Sequence, residues 1–433
     1  MLILHLSDIH FRKMEIGTAQ DPNFHLRNEL VRDVRLQCQA LGPPDVIVVS
    51  GDTAFAGDPA EFGFATEWLS ALCDACNGSL ETVFVVPGNH DAVRETAEKN
   101  LVQMIHRDIK AAVDPSEAIS RHMRDPSARR LLYESLDNYN EFALQFLCDL
   151  LPPDRTRAVR DLSLCDGSTL RLWGLNTALV SSQHDKLGSL FVDPASRQIT
   201  REEGVVNFVV AHHHLSWLGQ AQQLEDHLAD VAPVQLFGHV HTNRITLNRD
   251  FVRLTASAAN PDRHEAGWEP GYNLIELSVD GCPDHRRLHL RAHVRVWQEA
   301  PGGFQAKMDR TSSVFEHWID LEPWHAPVAT DIKTEVEELA LGDDGNGQAR
   351  VISLSSDPLT EGGPAMNTLR DVGLRFYRLS FSKKSEIAGR LELLEDEDMG
   401  QPDFERFRRV FMRAHERGRL DEFAEAVRAA EQA

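Results

Sequence analysis

Val206-Asn207-Phe208-Val209-Val210-Ala211-His212-His213-His214 joins a short apolar run to three consecutive histidines. A run this rich in β-branched residues is typical of a buried strand. Side chains that follow such a strand lie at the edge of a sheet, where ligand-bearing loops are common. A histidine cluster alone is weak evidence for a functional site, because surface and core histidines are frequent. The other polar motifs of the chain must therefore be considered together with it.

Four further polar motifs each follow a short apolar run. They are Asp8-Ile9-His10, Gly51-Asp52, Gly88-Asn89-His90-Asp91 and Gly238-His239-Val240-His241. Helical patterns at 25–41 and 59–76 alternate with the first three runs, which indicates a layered α/β domain with a buried sheet. Because the carboxyl ends of parallel strands meet at one edge of a sheet, we expect the five motifs to lie together.

Residues 92–157 interrupt this alternation and are predicted to form an inserted helical cap. The cap concentrates cations at His106, Arg107, Lys110, Arg121, His122, Arg124, Arg129 and Arg130. These cations are equally compatible with contact to a nucleic-acid backbone and with a solvated helix face. Strand patterns then resume, beginning with a hairpin around Asp166-Gly167-Ser168, and end the first domain near residue 300.

The remainder of the chain is predicted to form two further regions. Residues 301–373 have weak periodicity and glycine-rich runs at 342–347 and 361–364, which are typical of a linker. Residues 374–433 are predicted to form a small all-α module with helices near 382–394, 404–414 and 420–430. Apolar positions recur on one face of each of these helices.

The bulk composition excludes several classes of protein. Among the 433 residues no apolar run reaches the length of a membrane span, and the N-terminus has no cleavage site, which favours a cytoplasmic protein. Six cysteines in a chain of this length do not make a disulfide framework, and Cys73 and Cys76 are predicted to be buried helix thiols. The formal net charge of −22 disfavours passive binding to a nucleic-acid backbone. It does not exclude a nuclease, because bound divalent cations supply local positive charge.

The residue types in the five motifs indicate metal chemistry. Carboxylate, amide and imidazole ligands without a thiolate suit Mn²⁺, Fe, Zn²⁺ or Mg²⁺ rather than copper(I) or an iron–sulfur cluster. Seven such ligands are too many for one closed site, but they suit two ions that share a carboxylate. Two-metal sites of this kind stabilise the attacking and leaving oxygens of a phosphoryl displacement.

Over residues 1–300 the chain resembles the calcineurin-like metallophosphoesterases. The resemblance is carried by DxH, GD, GNHD, a histidine after a strand and GHxH, which occur in this order. The resemblance implies an α/β fold, a four-layer αββα sandwich with its site at one rim. It implies a first ion bound by Asp8, His10 and His241, a second bound by Asn89, His212 and His239, and Asp52 as the bridge. It further implies that His90 acts in catalysis, where it protonates the leaving oxygen or stabilises the transition state, and that Asp91 orients other residues.

The fourth motif departs from the pattern of the family. Many relatives have a second histidine and then a proline, whereas here His212 is followed by His213, His214 and Leu215. His212 is the favoured ligand because it comes first after the strand. His213 is the alternative ligand, or a residue that contacts the substrate.

The C-terminal helices offer a second resemblance, carried by 384–393, 404–407 and 413–422. These segments resemble the effector-associated domains, small death-like helical modules of bacterial conflict and defence systems. The resemblance implies docking to a protein partner that carries a matching module. The alternative is a helical appendage that packs on the catalytic domain.

The favoured function is a dinuclear-metal phosphodiesterase, with Mn²⁺ as the first choice of metal and nucleic acid or a nucleotide as substrate. A role as effector of a bacterial defence system follows from the second resemblance. The rival within the enzymes is a phosphomonoesterase or protein phosphatase. The rival from another class is a scaffold that acts through residues 374–433, and an oligomer is compatible with each hypothesis.

Overall fold

The computed structural model describes residues 1–262, 268–326 and 364–432. The strands are β1 (Leu2–Leu6), β2 (Val46–Val49), β3 (Val83–Val85), β4 (Arg157–Ser163), β5 (Thr169–Leu175), β6 (Val205–Ala211), β7 (Val234–Phe237), β8 (Arg244–Leu247), β9 (Val252–Thr255), β10 (Gly271–Cys282), β11 (His285–Glu299), β12 (Gly302–Ala306) and β13 (Phe315–Asp320). The helices are α1 (Phe24–Leu41), α2 (Pro59–Cys76), α3 (Arg94–Ala97), α4 (Asn100–Ala111), α5 (Pro115–Arg124), α6 (Pro126–Tyr133), α7 (Asp137–Leu144), α8 (Ala221–Val231), α9 (Pro364–Tyr377), α10 (Phe381–Arg390), α11 (Asp403–Glu416) and α12 (Leu420–Gln432).

The strands form two sheets. The first has the order β12–β11–β10–β1–β2–β3, and β13 also pairs with β11. The second has the order β4–β5–β6–β7–β9–β8. Strands β1, β2 and β3 are parallel, as are β5, β6, β7 and β9. The carboxyl ends of β1, β2, β3, β6 and β7 therefore carry the five polar motifs, as the sequence predicts.

Helices cover both sheets and complete the αββα sandwich. Asp33 of α1 accepts a hydrogen bond of 2.6 Å from Tyr272 of β10, which fixes α1 on the first sheet. On the second sheet, Gln235 of β7 donates to the Leu228 carbonyl of α8 over 3.1 Å. Apolar side chains of the two sheets form one continuous core, which includes the fully buried β2 and the apolar residues of β6 from Val206 onward.

The predicted cap region contains five helices, α3 to α7, between β3 and β4. Its cations do not form an unpaired basic patch, because most of them pair with carboxylates. Arg121 and His122 share Asp108, Arg124 lies 3.5 Å from Glu117, Lys110 lies 3.6 Å from Asp185, and Arg130 pairs with Asp137. His106 is buried. Of the two interpretations of the cap, these contacts favour helix faces balanced by their own acids.

The first domain extends beyond the boundary predicted near residue 300. Strands β12 and β13 both pair antiparallel with β11, so the sheet continues to residue 320 rather than giving way to a linker at 301. The long β11 offers hydrogen-bonding groups to both short strands, which the weak periodicity of this region did not indicate. The predicted glycine-rich run at 342–347 lies outside the described residues, as does the run at 361–364 except for Pro364, where α9 begins within the predicted linker.

Helices α9 to α12 form the C-terminal module around a separate apolar core that includes Phe376, Phe407 and Phe423. Leu144 of the cap packs into this core. Charged side chains also join the two parts: Arg408 of the module lies 2.9 Å from Asp149, and Glu405 pairs with Arg155. The module is therefore packed against the cap, as in the appendage alternative.

Two predictions from composition concern the whole chain. Cys73 and Cys76 are buried free thiols on α2, as predicted. In the part of the chain that the structure describes, no helix combines the length and the apolar character needed to cross a bilayer.

Candidate active site

The backbone at the strand ends adopts an unusual conformation. Five of the predicted ligands have positive φ angles near 50–66°, namely Asp8, His10, Asp52, His239 and His241. A left-handed conformation costs an ordinary residue about 1–3 kcal/mol, and such strain concentrates at functional sites. The fold therefore turns these side chains inward at some cost to its stability.

Two positions in the motifs require glycine because other side chains of the site lie too close to allow a Cβ atom. A Cβ at Gly51 would lie 2.5 Å from the His212 ring, and a Cβ at Gly88 would lie 2.1 Å from Asp52 Oδ1. Any side chain at either position would displace a predicted ligand. The glycine in GD and in GNHD thus follows from the packing of the site.

The first predicted group of ligands lies together. Asp8 Oδ1 is 3.1 Å from His241 Nε2, and the ligand atoms of Asp8, His10 and His241 lie within 4.8 Å of one another. Asp8 is fully buried, and its other oxygen accepts hydrogen bonds from Ser7 Oγ at 2.5 Å and from the His239 amide at 3.1 Å. These bonds leave Oδ1 to face the group.

Asp52 lies between the two groups. Its Oδ2 is 3.3 Å from His10 Nε2 and 3.1 Å from His212 Nε2, while Oδ1 accepts the His90 amide at 2.8 Å. One carboxylate oxygen therefore contacts a member of each predicted group. This is the position expected of a bridging ligand.

The second group converges on His212. Its Nε2 lies 3.2 Å from Asn89 Oδ1 and 3.2 Å from His239 Nδ1. Its Nδ1 donates to the Ser50 carbonyl over 2.9 Å, so in the neutral ring Nε2 carries a lone pair. His213 lies beside it, with Nε2 at 3.1 Å from Asn89 Oδ1 and Nδ1 at 2.8 Å from Thr177 Oγ1.

The electrostatics of these groups fit divalent cations. The ligand atoms of His212, Asn89 and Asp52 face one another, so positive charge placed among them, as a proton or as a cation, is favourable. Burial opposes a charge on His212, but the Asp52 and Asp8 carboxylates raise its pKa to about 9. Burial also opposes ionisation of Asp52, yet the His212 and His90 imidazoles hold its pKa well below its ordinary value. The cluster is thus built around positive charge, which bound cations would supply.

His90 lies at the edge of the cluster. Its Nδ1 donates to the Phe55 carbonyl over 2.7 Å, and its ring stacks on the Phe55 ring with centroids 5.0 Å apart. This arrangement leaves Nε2 available to a substrate. Burial lowers the pKa of His90 despite the nearby Asp52 carboxylate.

Two buried carboxylates brace the loops around His90. Asp91 accepts the Ala54 amide at 2.8 Å and the Gly88 amide at 2.9 Å, which ties the GD and GNHD loops together. Glu61 accepts the amides of Phe55 and Ala56 at 3.0 and 2.8 Å. The sequence predicted an orienting role for Asp91, but Glu61 was missed. Its only signal was its place at the start of a helix, where a capping glutamate is common.

A cleft of about 330 Å³ opens beside the cluster and is lined by Asn89, His90, Arg94, Glu98, Trp217 and His239 among others. Sequence reasoning missed Arg94 and Trp217. Arg94 follows the GNHD motif closely, and Trp217 follows the histidine run, so their short separation from predicted ligands was the available signal. Neither position belongs to a motif.

A sandwich of two sheets with Asp, Asn and His side chains at one rim defines a metallophosphoesterase, a hydrolase that acts on phosphoester bonds. The sequence model of the calcineurin-like phosphoesterases matches residues 1–243, and the chain belongs to this family. The model of the GTPase-associated adaptor domain matches residues 368–429, which confirms the predicted C-terminal helical module.

Individual proteins are similar to all or part of the first domain. The chain is 24% identical over 343 residues to the uncharacterized metallophosphoesterase-like protein YydB of Bacillus subtilis, covering 73% of this chain and 67% of that protein. It is 35% identical over 92 residues to the glycerophosphodiester phosphodiesterase GpdQ of Enterobacter lignolyticus, covering 21% of this chain and 30% of that protein. Among solved structures, a Vps29 double mutant from Entamoeba histolytica has a TM-score of 0.30 at 11% identity and covers 74% of this chain and 100% of its own.

Proposed function

We propose that the protein is a dinuclear-metal phosphodiesterase that hydrolyses phosphodiester bonds of nucleotides or nucleic acid. The observation that supports it most is the position of Asp52 Oδ2, which contacts His10 on one side and His212 on the other. Two groups of ligands joined by one carboxylate are suited to in-line displacement at phosphorus.

The proposed ligands follow the two groups. Asp8, His10 and His241 would hold one ion, Asn89, His212 and His239 would hold the other, and Asp52 would be shared by both. Two such cations, when bound, supply Lewis-acid activation of water and neutralise charge on the phosphoryl oxygens. Mn²⁺ is the proposed metal, and Fe, Zn²⁺ and Mg²⁺ suit the same donors.

His213 is proposed to position Asn89 rather than to bind an ion. A proton on His213 Nε2 donates to Asn89 Oδ1 over 3.1 Å, and Thr177 Oγ1 contacts Nδ1 at 2.8 Å. In its neutral form, which a metal ligand requires, His212 keeps its proton on Nδ1 for the Ser50 carbonyl and offers the lone pair of Nε2. His212 is therefore the ligand in this proposal.

The reaction of this chain's own residues centres on His90. The Phe55 carbonyl fixes the proton on Nδ1 and orients the ring, so Nε2 donates a proton to the leaving oxygen when His90 is protonated. Arg94 lies 3.1 Å from the same ring and offers its guanidinium to a non-bridging oxygen. Asp91 and Glu61 hold the loops that carry these groups.

A diester is favoured over the rival monoester by charge. Arg12, the other guanidinium near Phe55, is within ion-pair distance of Glu15 and Asp262, at 3.7 and 3.5 Å. Arg94 thus remains to complement the single charge of a diester, whereas a monoester carries about two charges near neutral pH. The name of the matched diesterase relative from Enterobacter lignolyticus also supports a diester.

Relative cleavage of bis(p-nitrophenyl) phosphate and p-nitrophenyl phosphate tests this choice. We expect the Mn²⁺-loaded protein to favour the diester, and Asp52→Ala to be inactive on both. A clear preference for the monoester would identify a phosphatase instead. The scaffold hypothesis ranks behind, because every predicted ligand position is filled and the side chains converge.

The C-terminal module is proposed to recruit a protein partner in the cytoplasm, as part of a bacterial defence system. The match to an adaptor domain supports recruitment. Phage plaque counts on bacteria that produce the wild-type chain or His90→Ala test the defence role. We expect fewer plaques with the wild type, and equal counts would contradict the role.

A further inference from the structure

We infer that the cleft beside His90 is a nucleoside subsite, with Trp217 as the wall on which the base stacks and Arg94 as the contact of its phosphate. This inference rests on the proposed function and names the substrate class of the same site. The cleft begins at Asn89, His90 and His239 and extends to the loop 181–185. The group that fills it therefore lies next to the phosphate under attack.

Trp217 is placed to receive an aromatic group. Its ring centroid lies 4.3 Å from that of His239, and the two rings are perpendicular, at 89°. Its backbone is fixed, because the Trp217 amide donates to the His214 carbonyl at 2.9 Å and its carbonyl accepts the Leu190 amide at 3.0 Å. A half-buried indole held beside a proposed metal ligand offers a rigid surface for a nucleobase.

Arg94 supplies the charge at the phosphate end. Its Nη2 lies 3.1 Å from His90 Nδ1, and its guanidinium carbon lies 5.5 Å from the Phe55 ring centroid. Within residues 1–262, 268–326 and 364–432, no carboxylate lies within ion-pair distance of Arg94. The guanidinium is therefore available to a phosphate oxygen.

The acidic residues of the cleft are committed to other contacts. Glu98 accepts a hydrogen bond of 3.2 Å from the backbone N–H of Gln183. Asp185 accepts the Ser182 amide at 3.0 Å and lies 3.6 Å from Lys110. These bonds shape the loop 181–185, whose Gln183 side chain is exposed at the cleft and can meet polar edges of a base or sugar.

The volume of the cleft and the charges of the neighbouring cap favour a single nucleoside over a long nucleic-acid polymer. A volume of about 330 Å³ is at the lower end of the range for small-molecule sites, roughly 300–1,000 Å³. The neighbouring cap offers no run of unpaired cations among its described residues, so a track for a nucleic-acid backbone is lacking there. A nucleoside monophosphate, or the terminal residue of a diester, fits both observations.

Calorimetric titration of the full-length, Mn²⁺-loaded protein with adenosine monophosphate and with inorganic phosphate tests the subsite. The informative quantity is the ratio of the two dissociation constants, because it cancels any general loss of the metal site. In Trp217→Ala we expect the preference for adenosine monophosphate over phosphate to fall roughly 5- to 100-fold, from the loss of stacking. Trp217→Phe should retain most of the preference.

Two further variants sharpen the result. Arg94→Gln should weaken both ligands together and leave their ratio nearly unchanged, whereas Trp318→Ala, on β13 outside the cleft, should change neither. If wild type binds adenosine monophosphate no better than phosphate, or if Trp217→Ala keeps the wild-type ratio, the subsite is refuted. Cleavage of methyl p-nitrophenyl phosphate by wild type, followed in parallel, reports on the proposed function independently, because this diester has no nucleoside.

Discussion

Replacing Arg408 with alanine tests whether the C-terminal module is an integral part of the structure. Arg408 Nη1 lies 2.9 Å from Asp149 Oδ1, and the Asp149 side chain is 0% exposed. Arg155 lies 3.0 Å from the other Asp149 oxygen and also pairs with Glu405. Asp149, Arg155, Glu405 and Arg408 thus form a largely buried cluster between the module and the cap, and Arg409 of the module also contacts Glu405 over 2.8 Å.

The magnitude follows from the burial of Asp149. Removing one partner of a buried ion pair typically costs about 3–5 kcal/mol, because an uncompensated charge remains. Arg155 still compensates Asp149 in the variant, so we expect the lower end, about 3 kcal/mol of the free energy of unfolding. In a double-mutant cycle with Asp149→Ala, a coupling of about 1–3 kcal/mol is expected, since the two side chains are in contact.

Urea unfolding at neutral pH measures both quantities. Arg428→Ala is the matched control, because Arg428 is an exposed arginine of the same module and should change stability by less than about 0.5 kcal/mol. A similarly small effect of Arg408→Ala, with no coupling to Asp149, would refute a docked module. If the prediction holds, deletion of the module exposes Asp149 and destabilises the cap.

Three further variants test separate features. Asp52→Ala should lose both metal ions by elemental analysis, because the bridge is shared, and retention of two ions would contradict the assignment. Glu61→Gln should keep both ions but lower diester turnover by weakening the loop that orients His90, so unchanged turnover would remove Glu61 from the account. Burial, assisted by Lys110, lowers the pKa of His106 from 6.5 to about 4. Between these pH values the unfolded chain binds more protons than the folded chain, so the free energy of unfolding falls as the pH drops. His106→Leu should reduce the loss of unfolding free energy between pH 7 and pH 4 by about 3 kcal/mol. An unchanged pH dependence of unfolding would contradict this role of His106.

The strand ends and the polar motifs could be predicted because their signals are local. A short apolar run followed by Gly-Asp or Gly-Asn-His-Asp specifies both a buried strand and the side chains at its end. The importance of Gly51 and Gly88 could be predicted for the same reason, since each directly precedes a predicted ligand. The left-handed backbone at Asp8 and His10 has no such signal, because only the tertiary structure imposes it.

The features that were missed depend on contacts between distant segments. The backbone carbonyl of Phe55 orients His90 from 35 residues away in sequence. Every residue has a backbone carbonyl, so the residue type at 55 does not predict this contact. Several cations of the cap pair with carboxylates of other helices, as Arg121 of α5 does with Asp108 of α4. Strand β13 is short and alternates little, and it is defined mainly by its pairing with β11.

The central claim is tested most directly by release of nitrophenolate from bis(p-nitrophenyl) phosphate. Mn²⁺-loaded wild type and His90→Ala are compared, with the metal content of both samples measured. We expect two ions in each protein, cleavage by wild type, and a rate lower by about 10²–10⁴-fold in the variant. A wild type that binds two ions but leaves the diester intact, or a variant as fast as wild type, would contradict it.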